Sequence, residues 1–165
     1  MSKLHLRERD CVLYRHNGTA RHFSNPPVIL GTPCVGKSSV RQPLPFGWRY
    51  IDLDDSRFGS LQRYVEHIER LQASAQLLDN KTLVTANFSF ELAQELDYRA
   101  IPYIVVYPSY ELKREYMTRA LYAKYTNKDC DYLMGQWNSL IDQIEEQSFD
   151  KVRLMAYQFL DAAIV

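Results

Sequence analysis

The sequence predicts a three-layer α/β/α fold with a mostly parallel five-stranded sheet, preceded by an N-terminal β-hairpin. Two observations lead to this prediction. From residue 27 onward, short runs of β-type residues alternate with longer stretches of helical periodicity, as in a parallel sheet covered by helices. Residues 1–26 are basic and contain their own turn signal, so we treat them as an extension of a domain that spans residues 27–165.

Length and composition exclude several classes of protein. The 165 residues are 46% hydrophobic and 24% charged, which suits a soluble domain. No run approaches the roughly 18 apolar residues of a membrane helix, so no membrane partner is expected. Twenty basic and twenty acidic side chains cancel, so nucleic-acid binding would need a local patch. Three widely spaced cysteines and the lack of a signal peptide predict a cytoplasmic protein without disulfides or a zinc site.

The N-terminal extension is predicted to form a hairpin. Cys11 to Tyr14 and Arg21 to Phe23 flank Asn17-Gly18, a dipeptide that tolerates the positive φ angles of a tight turn. Its basic side chains would provide contacts to phosphates if the chain binds nucleic acid: Lys3, Arg7, Arg9, Arg15 and Arg21.

The domain that follows alternates strands and helices. The predicted strands are Val28 to Gly31, Arg49 to Leu53, Thr82 to Ala86, Tyr103 to Tyr107 and Val152 to Met155. The predicted helices are Leu61 to Leu78, Ser89 to Leu96, Tyr110 to Tyr125 and Asp131 to Glu146. The first helix is the clearest, because Leu61, Tyr64, Val65 and Ile68 recur at helical spacing.

A phosphate-binding motif follows the first of these strands. Gly31-Thr32-Pro33-Cys34-Val35-Gly36-Lys37-Ser38 matches G-x-x-x-x-G-K-[ST] at every specified position. Such a P-loop curls its backbone N–H groups around a phosphate, and Ser38 to Arg41 is expected to start a helix whose dipole faces the same anion. Lys37 would reach the β- and γ-phosphates of ATP, and the Ser38 hydroxyl would bind Mg²⁺. The predicted nucleotide contacts are Gly31, Thr32, Pro33, Cys34, Val35, Gly36, Lys37, Ser38 and Ser39.

Two acidic residues at the end of the second strand are candidates for catalysis. Asp52 and Asp54 are two residues apart, so both side chains point to one side of an extended chain near the phosphates. One would accept a proton from the acceptor hydroxyl and the other would orient Mg²⁺. The spacing leaves open which of them is the base; we assign Asp54 to the metal site with Ser38. The D-x-x-G and N-K-x-D motifs of GTPases are missing from the sequence.

The helix predicted at about residues 110–125 supplies cations suited to a lid over the phosphates. It carries Lys113, Arg114, Arg119 and Lys124. Charge on a transferring phosphoryl group must be neutralised in a site that excludes water, so we expect Arg119 to act in catalysis.

These motifs together resemble a family of small phage-encoded P-loop kinase-like proteins. The resemblance covers about residues 27 to 160. It rests on the loop, on an Asp-x-Asp-x-Ser run at Asp52, Asp54 and Ser56, and on four further matches: Tyr64-x-x-His67-Ile68, Ile101-Pro102-Tyr103, Lys113-x-Glu115-x-x-x-Arg119 and Trp137. More distantly, the chain is similar to nucleoside monophosphate kinases and polynucleotide kinases. The resemblance implies ATP-dependent transfer to a hydroxyl or phosphate, with Lys37 and Ser38 on the nucleotide and Arg119 on the lid.

The leading hypothesis is a kinase for a nucleotide, nucleoside or related small metabolite. One alternative is a kinase for a polynucleotide end or a hydroxymethylated base in DNA, with the basic hairpin on the phosphates. The other is a non-catalytic ATP-binding regulatory module. Cys34 stands where such loops usually have glycine. We expect its thiol to have a lowered pKa beside Lys37, and to be the most reactive of the three cysteines.

Overall fold

The computed structural model describes residues 1–53, 58–77 and 81–165. Within these residues the chain forms eight β-strands in two sheets and four α-helices. No helix in the described ranges has the length and apolar character needed to cross a membrane.

The first sheet is antiparallel and has three strands. Its strands are β1 (Lys3–Leu6), β2 (Cys11–Tyr14) and β3 (Ala20–Phe23), in that spatial order. The hairpin predicted at Asn17-Gly18 is present, and Gly18 has a φ of 84°. The additional strand β1 was not predicted. It pairs with β2 on one side, and on the other its Leu4 N–H donates to the Ala163 carbonyl at 2.8 Å.

The second sheet has five parallel strands, which confirms the α/β class and the predicted parallel sheet. They are β4 (Val28–Gly31), β5 (Arg49–Asp52), β6 (Thr82–Asn87), β7 (Tyr103–Pro108) and β8 (Lys151–Leu154). The spatial order is β5-β6-β4-β7-β8. Every residue of β4 and β7 is buried, as expected for inner strands of a parallel sheet.

The four helices are α1 (Leu61–Leu77), α2 (Phe90–Tyr98), α3 (Lys113–Tyr122) and α4 (Asn127–Glu146). The predicted end of α1 at Leu78 lies outside the described residues. The helix predicted from Tyr110 begins with a 3₁₀ turn, and α3 ends at Tyr122, so Lys124 lies beyond it with a φ of 60°. The last helix starts earlier than predicted, because the Thr126 hydroxyl caps it by accepting from the Asp129 N–H at 3.1 Å.

Two tyrosines of β7 show which helices cover one face of the parallel sheet. Tyr103 donates its hydroxyl to Asp97 of α2 at 2.9 Å, and Tyr107 donates to Glu145 of α4 at 2.7 Å. Because residues two apart in a strand point the same way, α2 and α4 cover the same face.

The connection from β4 to β5 differs from the prediction. The helix expected from Ser38 is a single 3₁₀ turn at Lys37–Ser39, since Pro43 and Pro45 follow too closely for an α-helix to continue. Instead, Trp48 of this connection donates its indole N–H to the Arg7 carbonyl at 2.7 Å, which ties it to the N-terminal strands.

Both sheets contribute to one hydrophobic core. Apolar residues of the N-terminal strands belong to the same buried cluster as the parallel sheet: Leu4, Leu6, Cys11, Leu13 and Phe23. The boundary at residue 26 stays a prediction.

Candidate phosphate-binding site

The predicted P-loop leaves the carboxyl end of β4, the central strand of the parallel sheet. The Phe88 N–H donates to the Gly31 carbonyl at 2.9 Å, and the Thr32 N–H donates to the Val106 carbonyl at 3.1 Å. The neighbouring strands therefore hold both sides of the chain where the loop starts. The connections reverse direction at this strand, and ligands of open parallel sheets bind at such a switch point.

The loop has a compact backbone that requires glycine at two positions. A Cβ atom on Gly31 would lie 2.7 Å from Val35 Cγ2, and one on Gly36 would lie 2.7 Å from Phe159 Cδ1. Gly36 also has a φ of 93°. Cys34 takes a φ of 68°, a left-handed conformation that usually requires glycine.

Four successive carbonyl groups of the loop are bound by protein donors. Cys34 O accepts from Arg119 Nη1 at 3.1 Å, Val35 O from Leu160 N at 2.8 Å, Gly36 O from Ser39 N at 3.1 Å, and Lys37 O from the Tyr50 hydroxyl. In a planar trans peptide the next N–H points opposite to the carbonyl. The N–H groups of Gly36, Lys37 and Ser38 therefore point away from the donors that bind these carbonyls.

A cavity of about 1120 Å³ opens over this loop. Its lining comes from the loop, from the ends of β5 and β6, from α3 and from the C-terminal segment: Cys34, Gly36, Lys37, Ser38, Ser39, Asp52, Leu53, Asn87, Arg114, Glu115, Thr118, Arg119, Tyr122, Ala123, Tyr125, Tyr157 and Phe159. The other predicted contacts, Gly31, Thr32, Pro33 and Val35, shape the turn beneath it, and Thr32 and Val35 are buried.

Of the two predicted acids, Asp52 can be located. It ends β5 and lines the cavity with its side chain exposed, and Thr85 of the neighbouring strand donates its hydroxyl to Asp52 Oδ1 at 2.9 Å. The Thr85 hydroxyl also lies 3.0 Å from that of Tyr50, which in turn donates to Lys37 O. Asp54 lies outside the described residues.

The four predicted lid cations do not all lie at the cavity. Arg114 and Arg119 line the cavity, whereas Lys113 and Lys124, both within the described chain, do not. Arg119 forms an ion pair with Glu115 at 3.0 Å and its side chain is only 11% exposed. Its guanidinium lies between the rings of Tyr116 and Phe159, with distances of 4.4 and 3.9 Å to the ring centres.

The contacts that surround Arg119 were not predicted, although Glu115 belongs to the Lys113-x-Glu115-x-x-x-Arg119 pattern named above. Glu115 binds Arg119 through Oε2 and accepts from the Tyr157 N–H through Oε1 at 2.8 Å. Arg119 Nη2 also donates to the Gln158 carbonyl at 2.6 Å. The i, i+4 spacing of Glu115 and Arg119 was a visible signal for their ion pair. The C-terminal segment carried no local sign that it packs against the loop.

The prediction of a lowered pKa for Cys34 is wrong. Burial raises the pKa of this thiol, and a hydrogen bond with Tyr125 and the charges of Lys37 and Arg119 only partly oppose the shift. Desolvation therefore outweighs the nearby cations.

Two side chains of the cavity offer the ligand types that magnesium prefers. Ser38 and Asp52 bring a hydroxyl and a carboxylate to one cavity, and Mg²⁺ prefers such oxygen ligands together with phosphate and water. The described residues contain no cluster of three histidine, cysteine or acidic side chains that would hold a metal alone.

Two arginines of the basic N-terminal segment are already paired. Arg15 and Arg21 bind the two carboxylate oxygens of Asp150 at 2.7 and 2.6 Å. This pairing reduces the charge that the predicted hairpin offers to nucleic acid.

Comparisons of this chain with known protein families, curated proteins and solved structures find no match.

Proposed function

We propose that this protein is an ATP- and magnesium-dependent phosphotransferase that acts on a hydroxyl or phosphate of a nucleotide, nucleoside or related small metabolite. The observation that supports this best is the loop itself. A complete G-x-x-x-x-G-K-[ST] run leaves the central strand, has four successive carbonyls bound by protein donors, and lies beneath a space of about 1120 Å³. Ligand pockets are typically ~300–1,000 Å³, so a nucleotide and an acceptor fit together.

We assign a task to three charged groups of the cavity, Lys37, Arg114 and Asp52. Lys37 binds the β- and γ-phosphates, and Arg114 supplies a second cation from α3. Among the carboxylates that the structure describes in the cavity, we assign Asp52 as the base. Since Thr85 occupies Oδ1, we assign Oδ2 to the acceptor hydroxyl, whose proton it would accept. Ser38 would hold Mg²⁺ together with phosphate oxygens and water, and the ion would supply neutralisation of the negative charge on the phosphates.

The experiment is a binding and transfer assay on the full chain. ATP affinity is measured by calorimetry with and without Mg²⁺, and γ-labelled ATP is offered with nucleosides, nucleotides and DNA oligonucleotides. Lys37→Ala should abolish transfer, because it removes the cation on the phosphates without removing core volume. Lys113→Ala is the matched control, since this lysine lies outside the cavity lining and should leave transfer unchanged.

The outcomes separate the three hypotheses. Transfer to DNA but to no small acceptor would favour the polynucleotide kinase. ATP binding without transfer to any acceptor would identify a regulatory ATP-binding module. Unchanged turnover in Lys37→Ala would refute a phosphotransfer role for the loop.

A further inference from the structure

Cys34 occupies a backbone conformation that its side chain disfavours. Its φ of 68° is left-handed, a region in which a Cβ atom crowds the following carbonyl oxygen. A non-glycine residue remains there only when its surroundings hold it. The groups in contact with Cys34 therefore hold the loop in its observed conformation.

Two features hold Cys34 in place. Its partly buried side chain packs against a small apolar cluster between α3 and α4, formed by Ala120, Cys130 and Leu133. Its carbonyl accepts a hydrogen bond from Arg119 Nη1 at 3.1 Å. The second contact acts directly on the backbone.

Arg119 is fixed from several directions. Besides the Cys34 carbonyl, it binds Glu115 and the Gln158 carbonyl, and it is stacked on Phe159 at 3.9 Å. Reaching a phosphate would require Arg119 to give up several of these contacts. A planar guanidinium that bonds two carbonyls and a carboxylate is well suited to hold segments of chain together.

The loop also lacks a support that P-loops ordinarily have. The loop ends in a 3₁₀ turn at Lys37–Ser39, and no α-helix follows within the described residues up to 53. The bonds to Arg119, Leu160 and Tyr50 replace that support, and the one from Arg119 acts at the strained residue.

We infer that Arg119 is a positioning residue that holds the Cys34 carbonyl and keeps the loop in its phosphate-binding shape, in place of the lid cation expected from the sequence. This inference rests on the proposed function for the ligand, ATP. It predicts that the need for Arg119 depends on which residue stands at position 34.

The test combines two backgrounds at position 34 with changes at Arg119. Cys34→Ala removes the thiol and keeps a Cβ, whereas Cys34→Gly removes the left-handed penalty. In the alanine background, Arg119→Ala should weaken ATP binding more than in the glycine background, by about fivefold to thirtyfold, the range that the penalty of about 1–2 kcal/mol allows. Arg114→Ala, also on the cavity, should show no such dependence on residue 34.

Arg119→Lys tests whether the planar shape of the guanidinium or only its positive charge is needed. It also provides a more conservative variant in case Arg119→Ala fails to fold. It keeps the positive charge but loses the planar fork, so it should behave like Arg119→Ala in ATP affinity. The effect should appear in ATP binding and KM, with a smaller change in kcat. A loss confined to kcat, or equal losses in the two backgrounds, would overturn the inference.

A second measurement keeps the inference testable if ATP does not bind. Hydrogen exchange of the loop amides at residues 35–38 is followed without nucleotide in the same variants. Arg119→Ala should speed exchange more in the alanine than in the glycine background. Absence of ATP binding together with this exchange pattern would refute the proposed function and support the positioning role. Equal exchange in all variants would refute the positioning role itself.

Discussion

Replacing Gly36 by alanine tests the packing of the C-terminal segment on the P-loop. Gly36 has a φ of 93°, and an added Cβ would lie 2.7 Å from Phe159 Cδ1 and 3.2 Å from Phe159 Cβ. The left-handed backbone alone costs about 1–2 kcal/mol for a residue with a Cβ. Overpacking against the aromatic ring adds about 1–3 kcal/mol. We therefore expect Gly36→Ala to lower the free energy of unfolding by about 2–5 kcal/mol.

Gly18→Ala is the matched control for this change. Gly18 has a φ of 84° in the N-terminal hairpin, but an added Cβ would meet no atom within 4 Å. Gly18→Ala should therefore lower the free energy of unfolding only by the cost of the left-handed backbone, about 1–2 kcal/mol. Urea denaturation measures the free energy of unfolding of both variants, and the difference between their losses gives the contribution of the contact with Phe159.

The double variant Gly36→Ala with Phe159→Ala sharpens the test. Removing the ring should relieve the overlap, so the combined loss should be smaller than the sum of the two single losses. Equal losses for Gly36→Ala and Gly18→Ala, or additive losses in the double variant, would show that Phe159 does not pack on the loop.

Three further predictions concern stability. Asp150→Ala should lower the free energy of unfolding by about 1–2 kcal/mol, because it removes a shielded carboxylate that binds two arginines. Asp142 lies on the exposed side of α4, so Asp142→Ala should change this free energy little in the same urea assay. Burial raises the pKa of Cys11 to about 12, so this thiol contributes stability that is present below pH 9 and lost as pH rises toward 12. Between pH 8 and 10.5 the wild type should therefore lose about 2 kcal/mol more than Cys11→Val, and equal pH dependence of the two would contradict this. Gly135→Ala should raise the free energy of unfolding by about 0.5–1 kcal/mol, because α4 has open space at that position and alanine favours the helix; a loss in thermal melting would contradict it.

The strands of the parallel sheet were predictable because their signal is local. Val28–Gly31 has the predicted bounds, since an apolar run meets a glycine-rich turn. Tyr103–Pro108 is framed in the same way by prolines at its ends. In contrast, Lys3–Leu6 is a strand of four residues whose second partner is the distant C-terminal segment, so periodicity could not reveal it.

The candidate site was predictable only in part. The motif identified Lys37 and Ser38, and strand ends identified Asp52, because each has a local pattern. Charge on a helix did not distinguish Arg119, which binds carbonyls, from Lys113, which lies outside the cavity. The role of Arg119 depends on its contacts with Gln158 and Cys34, which lie about 40 positions or more away in the sequence.

The C-terminal segment has a consequence for synthesis of the chain. The loop is made early, yet its supports at Phe159 and Leu160 are made more than a hundred residues later. At about 5–20 residues per second, the ribosome needs roughly 6 to 25 s to travel from Gly36 to Leu160. A nascent chain therefore carries the phosphate-binding motif for many seconds before the loop can be held in shape. Under the function proposed above, nucleotide binding would begin only when residues 158–160 have emerged from the ribosome and packed against the loop.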